Sequence, residues 1–344
     1  MLHRLSGMDG RRRGWPTALA NLIRARTSRL DDPVASANLV RALLKSGQVT
    51  TALKVLSTKE TVLPYEIGNL VAAEFAVSPK TRSIPSVRKS VKWFTELLRL
   101  MEMEPTEELV SAHLFSNILH PRYPWREKAL DQCSMEEFDR WVKCKGLDYL
   151  ERTRSAKQGI ILVHSHFTTE RVSSLFLAKK GFRIVSIECE DRLGSFGVES
   201  AKDIEVLEMA DKSGFHLKEV YVAKKALRRG MAVQTSGDGY HGDSDVEVEF
   251  LGVKRPFKAG FAELAIATSA PLFPVFTSLA STGEIRIDFL PPLEARGRES
   301  DRGGRVASII EQFASLLEDR WRSDPCNVCS YEIMKFLAVR RKQG

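Results

Sequence analysis

The feature that most constrains the fold is an alternation of short apolar runs with helical stretches, which fills the chain after about residue 159. Each run is bounded by glycine or polar residues, a pattern typical of strands buried on both faces. The runs cover residues 159–163, 183–187, 231–233, 246–250, 272–276 and 285–290. Helical patterns follow at 170–179, 218–229, 260–268 and 306–321. This order predicts an α/β fold with a mainly parallel sheet flanked by helices.

The first part of the chain has helical periodicity without such runs. Helices are predicted at 15–30, 34–45, 50–56, 66–76 and 87–101. Eleven of the first sixty residues are Lys or Arg and four are Asp or Glu, so most of the net charge of +8 lies there. The first of these helices is amphipathic and follows Arg11–Arg13, so it either lies on an anionic bilayer or packs on the helices after it. We divide the chain into an all-helical arm at 1–105, an α/β domain at 106–325 and a basic helical tail at 326–344.

Composition excludes several classes of protein. The hydrophobic fraction of 43% and charged fraction of 28% are ordinary for a globular chain. The sequence contains no run of 18 apolar residues, the length needed to span a bilayer. Five irregularly spaced cysteines do not predict a disulfide framework, and they suit a reducing compartment. No recognisable nucleic-acid module accompanies the positive charge, so no nucleic-acid partner is expected. We therefore expect a cytoplasmic protein, peripheral on the inner face of the cell membrane, where its charge attracts anionic lipid.

The residues that follow the strand predicted at 159–163 are the first candidates for chemistry. In an open α/β sheet, functional groups follow the carboxyl ends of the strands. His164 and His166 stand there, and a histidine whose tautomer is fixed can take a proton near neutral pH. If a helix begins near Phe167, Glu170 lies one turn from His166 on the same helix face. His166 is then the predicted base, Glu170 the carboxylate that orients it, and His164 the main competitor for the base.

Several blocks of sequence, in a fixed order, resemble one known family. The region around 159–181 is similar to the His-x4-Asp/Glu motif region of the bacterial lipid A lauroyl/myristoyl acyltransferases and their glycerophospholipid-acylating relatives. The similarity continues through 227–230, 238–239, 250–252, 256–260 and 270–276. Aligned without a gap, His166 falls on the motif histidine, but Arg171 occupies the acidic position and Glu170 lies one residue early. The resemblance implies a glycerolipid acyltransferase-like fold.

The resemblance also implies an activity. His166 would deprotonate a hydroxyl or amine, which attacks the thioester of an acyl carrier protein or acyl-coenzyme A; no bound cofactor or metal is implied. Asp238 falls at an acidic position near the acceptor pocket. Arg171 could bind a phosphate or carboxylate of a substrate.

Basic residues near a predicted helix start offer a second binding site. Arg255 and Lys258 lie beside Gly260, where helix amides favour an anion, so we expect them to bind the phosphates of the donor.

Two alternatives to the lipid acyltransferase remain open. One is a catalytically degenerate member that binds lipid or partner proteins, and the other is an acyltransferase for a small molecule outside lipid A.

Overall fold

The computed structural model describes residues 33–56, 64–117, 125–188, 198–208, 217–239 and 244–343. The amphipathic helix predicted at 15–30, Cys189 and the loop at 240–243 lie outside these ranges. Among the described residues, no helix is long and apolar enough to cross a membrane.

The chain before the sheet is helical, as its periodicity predicts. The helices are α1 (Pro33–Lys45), α2 (Val49–Leu56), α3 (Tyr65–Val77), α4 (Pro79–Arg82), α5 (Pro85–Leu100), α6 (Glu107–Asn117), α7 (Trp125–Gln132) and α8 (Met135–Trp141). The four predicted helices within this part are confirmed to within two residues of each end. Their apolar faces bury Phe75, Phe94, Leu97 and Leu98 completely. This burial is what stabilises such short helices, because isolated helices of this length are marginal in water.

A seven-stranded sheet forms the centre of the molecule. Its strands are β1 (Val142–Lys145), β2 (Ile160–His164), β3 (Ile184–Glu188), β4 (Ile204–Glu208), β5 (Ala232–Ser236), β8 (Leu272–Leu279) and β9 (Ile285–Phe289), and the hairpin strands β6 (Asp245–Phe250) and β7 (Val253–Lys258) stand apart. The order across the sheet is β1-β9-β8-β2-β5-β3-β4, and only the β8–β9 pair is antiparallel. The predicted α/β class with a mainly parallel sheet is confirmed.

Helices connect and cover the strands. They are α9 (Leu147–Ser155), α10 (Glu170–Lys179), α11 (Leu217–Arg228), α12 (Gly260–Thr268), α13 (Arg302–Ser323) and α14 (Ser330–Gln343). Helix α13 buries Ile309, Ile310, Phe313, Leu317 and Trp321, as its apolar face predicts. The four inner residues of β2 are at most 3% exposed, which explains why its sequence is continuously apolar.

One expectation about these elements is wrong. Residues 246–250 were expected to be a strand of the main sheet, but among the described strands β6 pairs only with β7, in an antiparallel hairpin. Its alternate residues face solvent, so it is half-buried. The helix predicted at 170–179 is confirmed as α10. The condition that this helix begin near Phe167 is not met, since Phe167 forms an isolated bridge with Val328 of the C-terminal segment.

Candidate active site

The neighbouring strands β2 and β5 place the two central residues of the site. The strands are parallel and in register, with His164 opposite Ser236. The backbone N–H of Gly237 donates to the carbonyl of His164 at 2.8 Å, which extends the pairing one residue further. His166 and Asp238 each lie two residues beyond these paired strand ends. The register therefore brings the two side chains together.

Asp238 contacts His166 through both carboxylate oxygens. Oδ1 lies 2.7 Å from the imidazole Nδ1, and Oδ2 accepts the backbone N–H of His166 at 2.9 Å. The Asp238 side chain is 1% exposed and that of His166 is 34% exposed. An ionised carboxylate only accepts hydrogen bonds, so Nδ1 carries a proton and, in the neutral ring, Nε2 carries the lone pair. Among the described residues, no hydrogen bond engages Nε2.

The carboxylate that contacts His166 is therefore that of Asp238, and not that of Glu170 as predicted. The single N–H at Nδ1 is donated to Asp238, and His166 precedes helix α10 rather than sharing a face of it with Glu170. Glu170 is 3% exposed and lies in the first turn of α10, where its Oε1 is 3.1 Å from Nη1 of Arg171. It still acts on His166 through its charge.

The charges around His166 favour its protonated form. Burial disfavours the imidazolium, but the charge and hydrogen bond of Asp238, with the charges of Glu332 and Glu170, outweigh it and raise the pKa of His166 to about 10. For Asp238, burial opposes ionisation, but the charges of His166 and Arg255 prevail and hold its pKa below the usual value. At neutral pH the free protein therefore contains an imidazolium–carboxylate pair.

Arg255 lies inside the protein, contrary to its expected role in binding donor phosphates. Its side chain is 1% exposed, and Nη2 donates to the backbone carbonyl of Asp238 at 3.0 Å and lies 3.4 Å from Oε2 of Glu332. The guanidinium carbon is 4.7 Å from the centroid of the Phe257 ring. In β7, Val253, Arg255 and Phe257 alternate onto one buried face, so Arg255 takes a core position. This alternation can be read from the sequence, and it predicts that the Arg255 side chain points into the core.

Glu332, in the first turn of α14, was not predicted as a site residue. It is 1% exposed, and its Oε1 lies 3.9 Å from Nδ1 of His166. The sequence contains one signal that could have identified Glu332. It is a carboxylate on an apolar helix face, since Ile333, Phe336 and Leu337 are buried on the same helix. A charge at a core position is rare unless it is paired, and such positions mark candidate functional residues.

His164, the competing base, is held in a different state. Burial lowers its pKa to about 4, against the opposing charge of Glu170, so the ring is neutral. Its Nδ1 is 3.2 Å from Nε2 of Gln234, whose Oε1 accepts the hydroxyl of Ser174 at 2.8 Å. The Gln234 amide thus donates to Nδ1, and the ring proton of His164 lies on Nε2.

The remaining predicted binding residues are Arg171, Lys258 and Gly260. Arg171 has a side chain 15% exposed; burial opposes its charge, but Glu170, Glu188 and Glu127 raise its pKa. Lys258 places Nζ 2.8 Å from Oδ1 of Asp245. Gly260 is the first residue of α12, as predicted.

A metal ion would have to compete with groups already present at this site. His166, Asp238 and Glu332 offer ligand atoms within 4.8 Å of one another. However, Nδ1 is hydrogen-bonded to Asp238, and the Arg255 guanidinium already supplies a positive charge that contacts Glu332 and acts on the Asp238 carboxylate. The three candidate ligands, His166, Asp238 and Glu332, therefore already have partners within the site.

Comparison with protein-family models identifies the family of this chain. The family model for the bacterial lipid A biosynthesis acyltransferases matches residues 125–321, which is more than half of the chain. A search of curated proteins finds none that matches. The matched region contains the whole sheet and the His166–Asp238 pair. This chain belongs to the bacterial lipid A biosynthesis acyltransferase family and is an acyltransferase.

Proposed function

We propose that this acyltransferase moves a fatty acyl group from the thioester of acyl carrier protein or coenzyme A to a hydroxyl or amine of a lipid or glycolipid at the membrane surface. The observation that carries the proposal is the 2.7 Å contact between His166 and a buried Asp238, in a family of acyltransferases. A buried carboxylate that fixes the tautomer of a partly exposed histidine is the arrangement of a general base.

The chemistry follows from the tautomer. Neutral His166 accepts the acceptor's O–H or N–H proton on Nε2, while Asp238 keeps the Nδ1 proton and stabilises the imidazolium that forms. The acceptor oxygen or nitrogen bonds to the thioester carbon, and the carbon–sulfur bond then breaks. The departing thiolate takes the proton from Nε2, which restores the neutral base. No other reactant is needed.

The membrane surface and the phosphate-bearing donor are proposed from charge. The positive excess of the first sixty residues suits anionic lipid headgroups and an acidic carrier protein. Lys258 and Arg171 keep partly exposed side chains, at 23% and 15%, and remain our proposed contacts for substrate phosphates or carboxylates. Lys258 lies two residues before Gly260, so the amides of the first turn of α12 add to the attraction for an anion.

Purified protein incubated with radiolabelled acyl donor and membrane lipid tests the proposal. Acyl carrier protein and coenzyme A thioesters are assayed separately, each with vesicles that contain anionic lipid or a bacterial lipid extract. We expect labelled lipid with at least one donor and a loss of about 100-fold or more in His166→Ala, since general-base catalysis contributes about 10²–10⁴-fold. Transfer that survives His166→Ala in a folded protein would exclude His166 as the base. Hydrolysis without transfer to any lipid would exclude the proposed acceptor.

A further inference from the structure

The C-terminal segment after residue 324 lies beyond the region that matches the family, yet it contacts the loop that carries His166. The backbone N–H of Cys329 donates to the carbonyl of His166 at 3.2 Å. Two residues after His166, the backbone N–H of Thr168 donates to the carbonyl of Asn327 at 3.1 Å. These bonds fix the backbone on both sides of Phe167, so the direction of the imidazole depends on this segment.

The segment is itself fixed at two points. The side chain of Asn327 accepts the backbone N–H of Leu279 at 2.9 Å and donates to its carbonyl at 3.1 Å, at the end of β8. The side chain of Asn117, at the end of α6, donates to the carbonyl of Val328 at 3.1 Å and accepts the backbone N–H of Ser330 at 2.8 Å. Helix α14 therefore starts from a position set by the sheet and by helix α6.

This start brings Glu332 to the side of the His166–Asp238 pair. Its Oε2 is 3.4 Å from Nη2 of Arg255, the same nitrogen that donates to the carbonyl of Asp238 at 3.0 Å. The other oxygen lies 3.9 Å from Nδ1 of His166. One guanidinium nitrogen thus connects the Glu332 carboxylate to the backbone of Asp238, whose side chain contacts the same imidazole. Because Glu332 and Arg255 are each 1% exposed, each of these buried charges is stabilised by the other.

We propose that Glu332 is a positioning residue of this acyltransferase, held by Arg255 beside the His166–Asp238 pair, so that the C-terminal helix completes the active site. The catalytic consequence rests on the proposed function. The effect of Glu332 on the titration of His166 does not depend on the proposed function, because the contacts exist in the free protein.

The proposal has an electrostatic consequence that can be measured. Among the described residues, the charged or titratable groups that act on His166 are Asp238, Glu332, Glu170 and His164, and Arg255 acts on it through Asp238. A carboxylate within about 4–6 Å raises the pKa of a histidine by about one to three pH units. Removal of the Glu332 charge should therefore lower the pH at which His166 titrates.

Three variants test this in the full-length protein. Glu332→Gln removes the charge and keeps the shape, while Glu332→Asp keeps the charge on a shorter side chain. Asp288→Asn is the matched control, because it removes one carboxylate from a partly buried pair, 2.7 Å from Arg320, outside the site. Imidazole NMR follows the titration of His166, which is assigned among the seven histidines by the signal that His166→Ala removes.

We expect the His166 titration midpoint to fall by about one pH unit or more in Glu332→Gln, to recover at least partly in Glu332→Asp, and to stay in place in Asp288→Asn. In the transfer assay, kcat/KM at the optimum should fall roughly 10-fold to 100-fold in Glu332→Gln, because a small misplacement of the base is costly. The pH profile should move in the same direction as the NMR midpoint.

Several outcomes decide the matter. A midpoint in Glu332→Gln that stays within about 0.3 pH units of wild type overturns the proposal, whatever the activity. A shifted midpoint in Glu332→Gln, together with a wild-type protein that transfers no acyl group from either donor, supports the Glu332 contact and refutes the proposed function instead. If Glu332→Gln does not fold, the double variant Glu332→Gln, Arg255→Met removes both buried charges and leaves neither unpaired. Because the losses of a negative and a positive charge offset each other at His166, this variant is judged by kcat/KM, and a folded double variant within about threefold of wild type overturns the proposal.

Discussion

The substitution Asp238→Asn isolates the contact on which the proposed chemistry depends. Asparagine keeps the size of the side chain but replaces one acceptor oxygen by an NH₂ donor. Asp238 now accepts two N–H groups, from Nδ1 of His166 at 2.7 Å and from its backbone nitrogen at 2.9 Å. An amide satisfies only one of them. It either leaves the backbone donor opposed by NH₂ or donates to Nδ1 and moves the ring proton to Nε2.

The magnitude follows from the charge that is lost. The net increase in the pKa of His166 from 6.5 to about 10, which Asp238 produces together with Glu332 and Glu170 against the effect of burial, corresponds to about 5 kcal/mol at 1.36 kcal/mol per pH unit. Since 34% of the side chain is exposed and solvent screens the interaction, we take about half of this, ~2–3 kcal/mol, as the stabilisation of the imidazolium. The loss of orientation adds to this, so we expect kcat/KM above pH 9 to fall by about 10²–10⁴-fold.

The pH dependence makes the prediction specific. In wild type the base is the neutral imidazole, whose fraction increases about tenfold per pH unit up to the pKa near 10. In Asp238→Asn, residue 238 carries no charge that opposes the effect of burial. The pKa of His166 therefore falls, and the imidazole is already neutral over most of this range. The ratio of wild-type to variant kcat/KM should therefore increase from pH 7 to pH 9.

The assay measures transfer of labelled acyl groups to lipid at half-unit steps from pH 6 to pH 9.5, with enzyme-free blanks for spontaneous thioester hydrolysis. Circular dichroism and thermal unfolding at each pH establish that the variant is folded. A variant within about threefold of wild type at pH 9 would refute the assignment of Asp238. A wild-type rate that falls as pH rises from 7 to 9 would show that the imidazolium, acting as an acid, is the active form.

Two further predictions concern the neighbours of this pair. His164→Gln should keep kcat/KM within about tenfold of wild type and leave the pH profile in place, because His164 is neutral with its Nδ1 occupied by Gln234; a loss as large as that of His166→Ala in the same transfer assay would contradict this. Dialysis against a chelator should leave the rate unchanged, because Arg255 already compensates the two site carboxylates; a loss restored by one added divalent cation would reverse this conclusion.

The class of fold could be predicted because its signals are local. A strand buried on both faces, such as β2, needs a continuous apolar run, and a helix on a sheet needs an apolar face, as in α13. The hairpin of β6 and β7 was the exception. Residues 246–250 alternate, with Glu247 and Glu249 between apolar residues, and that period of two predicts a half-exposed strand rather than one inside the sheet.

The position of His166 in the site could be predicted from the sequence, but its carboxylate partner could not. His166 is recognisable because it follows the end of a buried strand, whereas the choice of Glu170 assumed that its partner had to be near in sequence. That choice also assumed a helix from Phe167, and this backbone instead pairs with Val328, more than 150 residues away in the chain. Long-range pairing of this kind leaves no trace in local periodicity.

The contact between His166 and Asp238 is a property of strand order. Both residues stand two places after a strand end, an offset that the sequence contains, but they meet only because β2 and β5 are neighbours with His164 opposite Ser236. Two strands, β3 and β4, separate them along the chain and lie on the far side of β5 in the sheet. Had β3 taken the place next to β2, Asp238 would lie a strand further away. The carboxylate that contacts His166 is thus determined by the topology of the sheet.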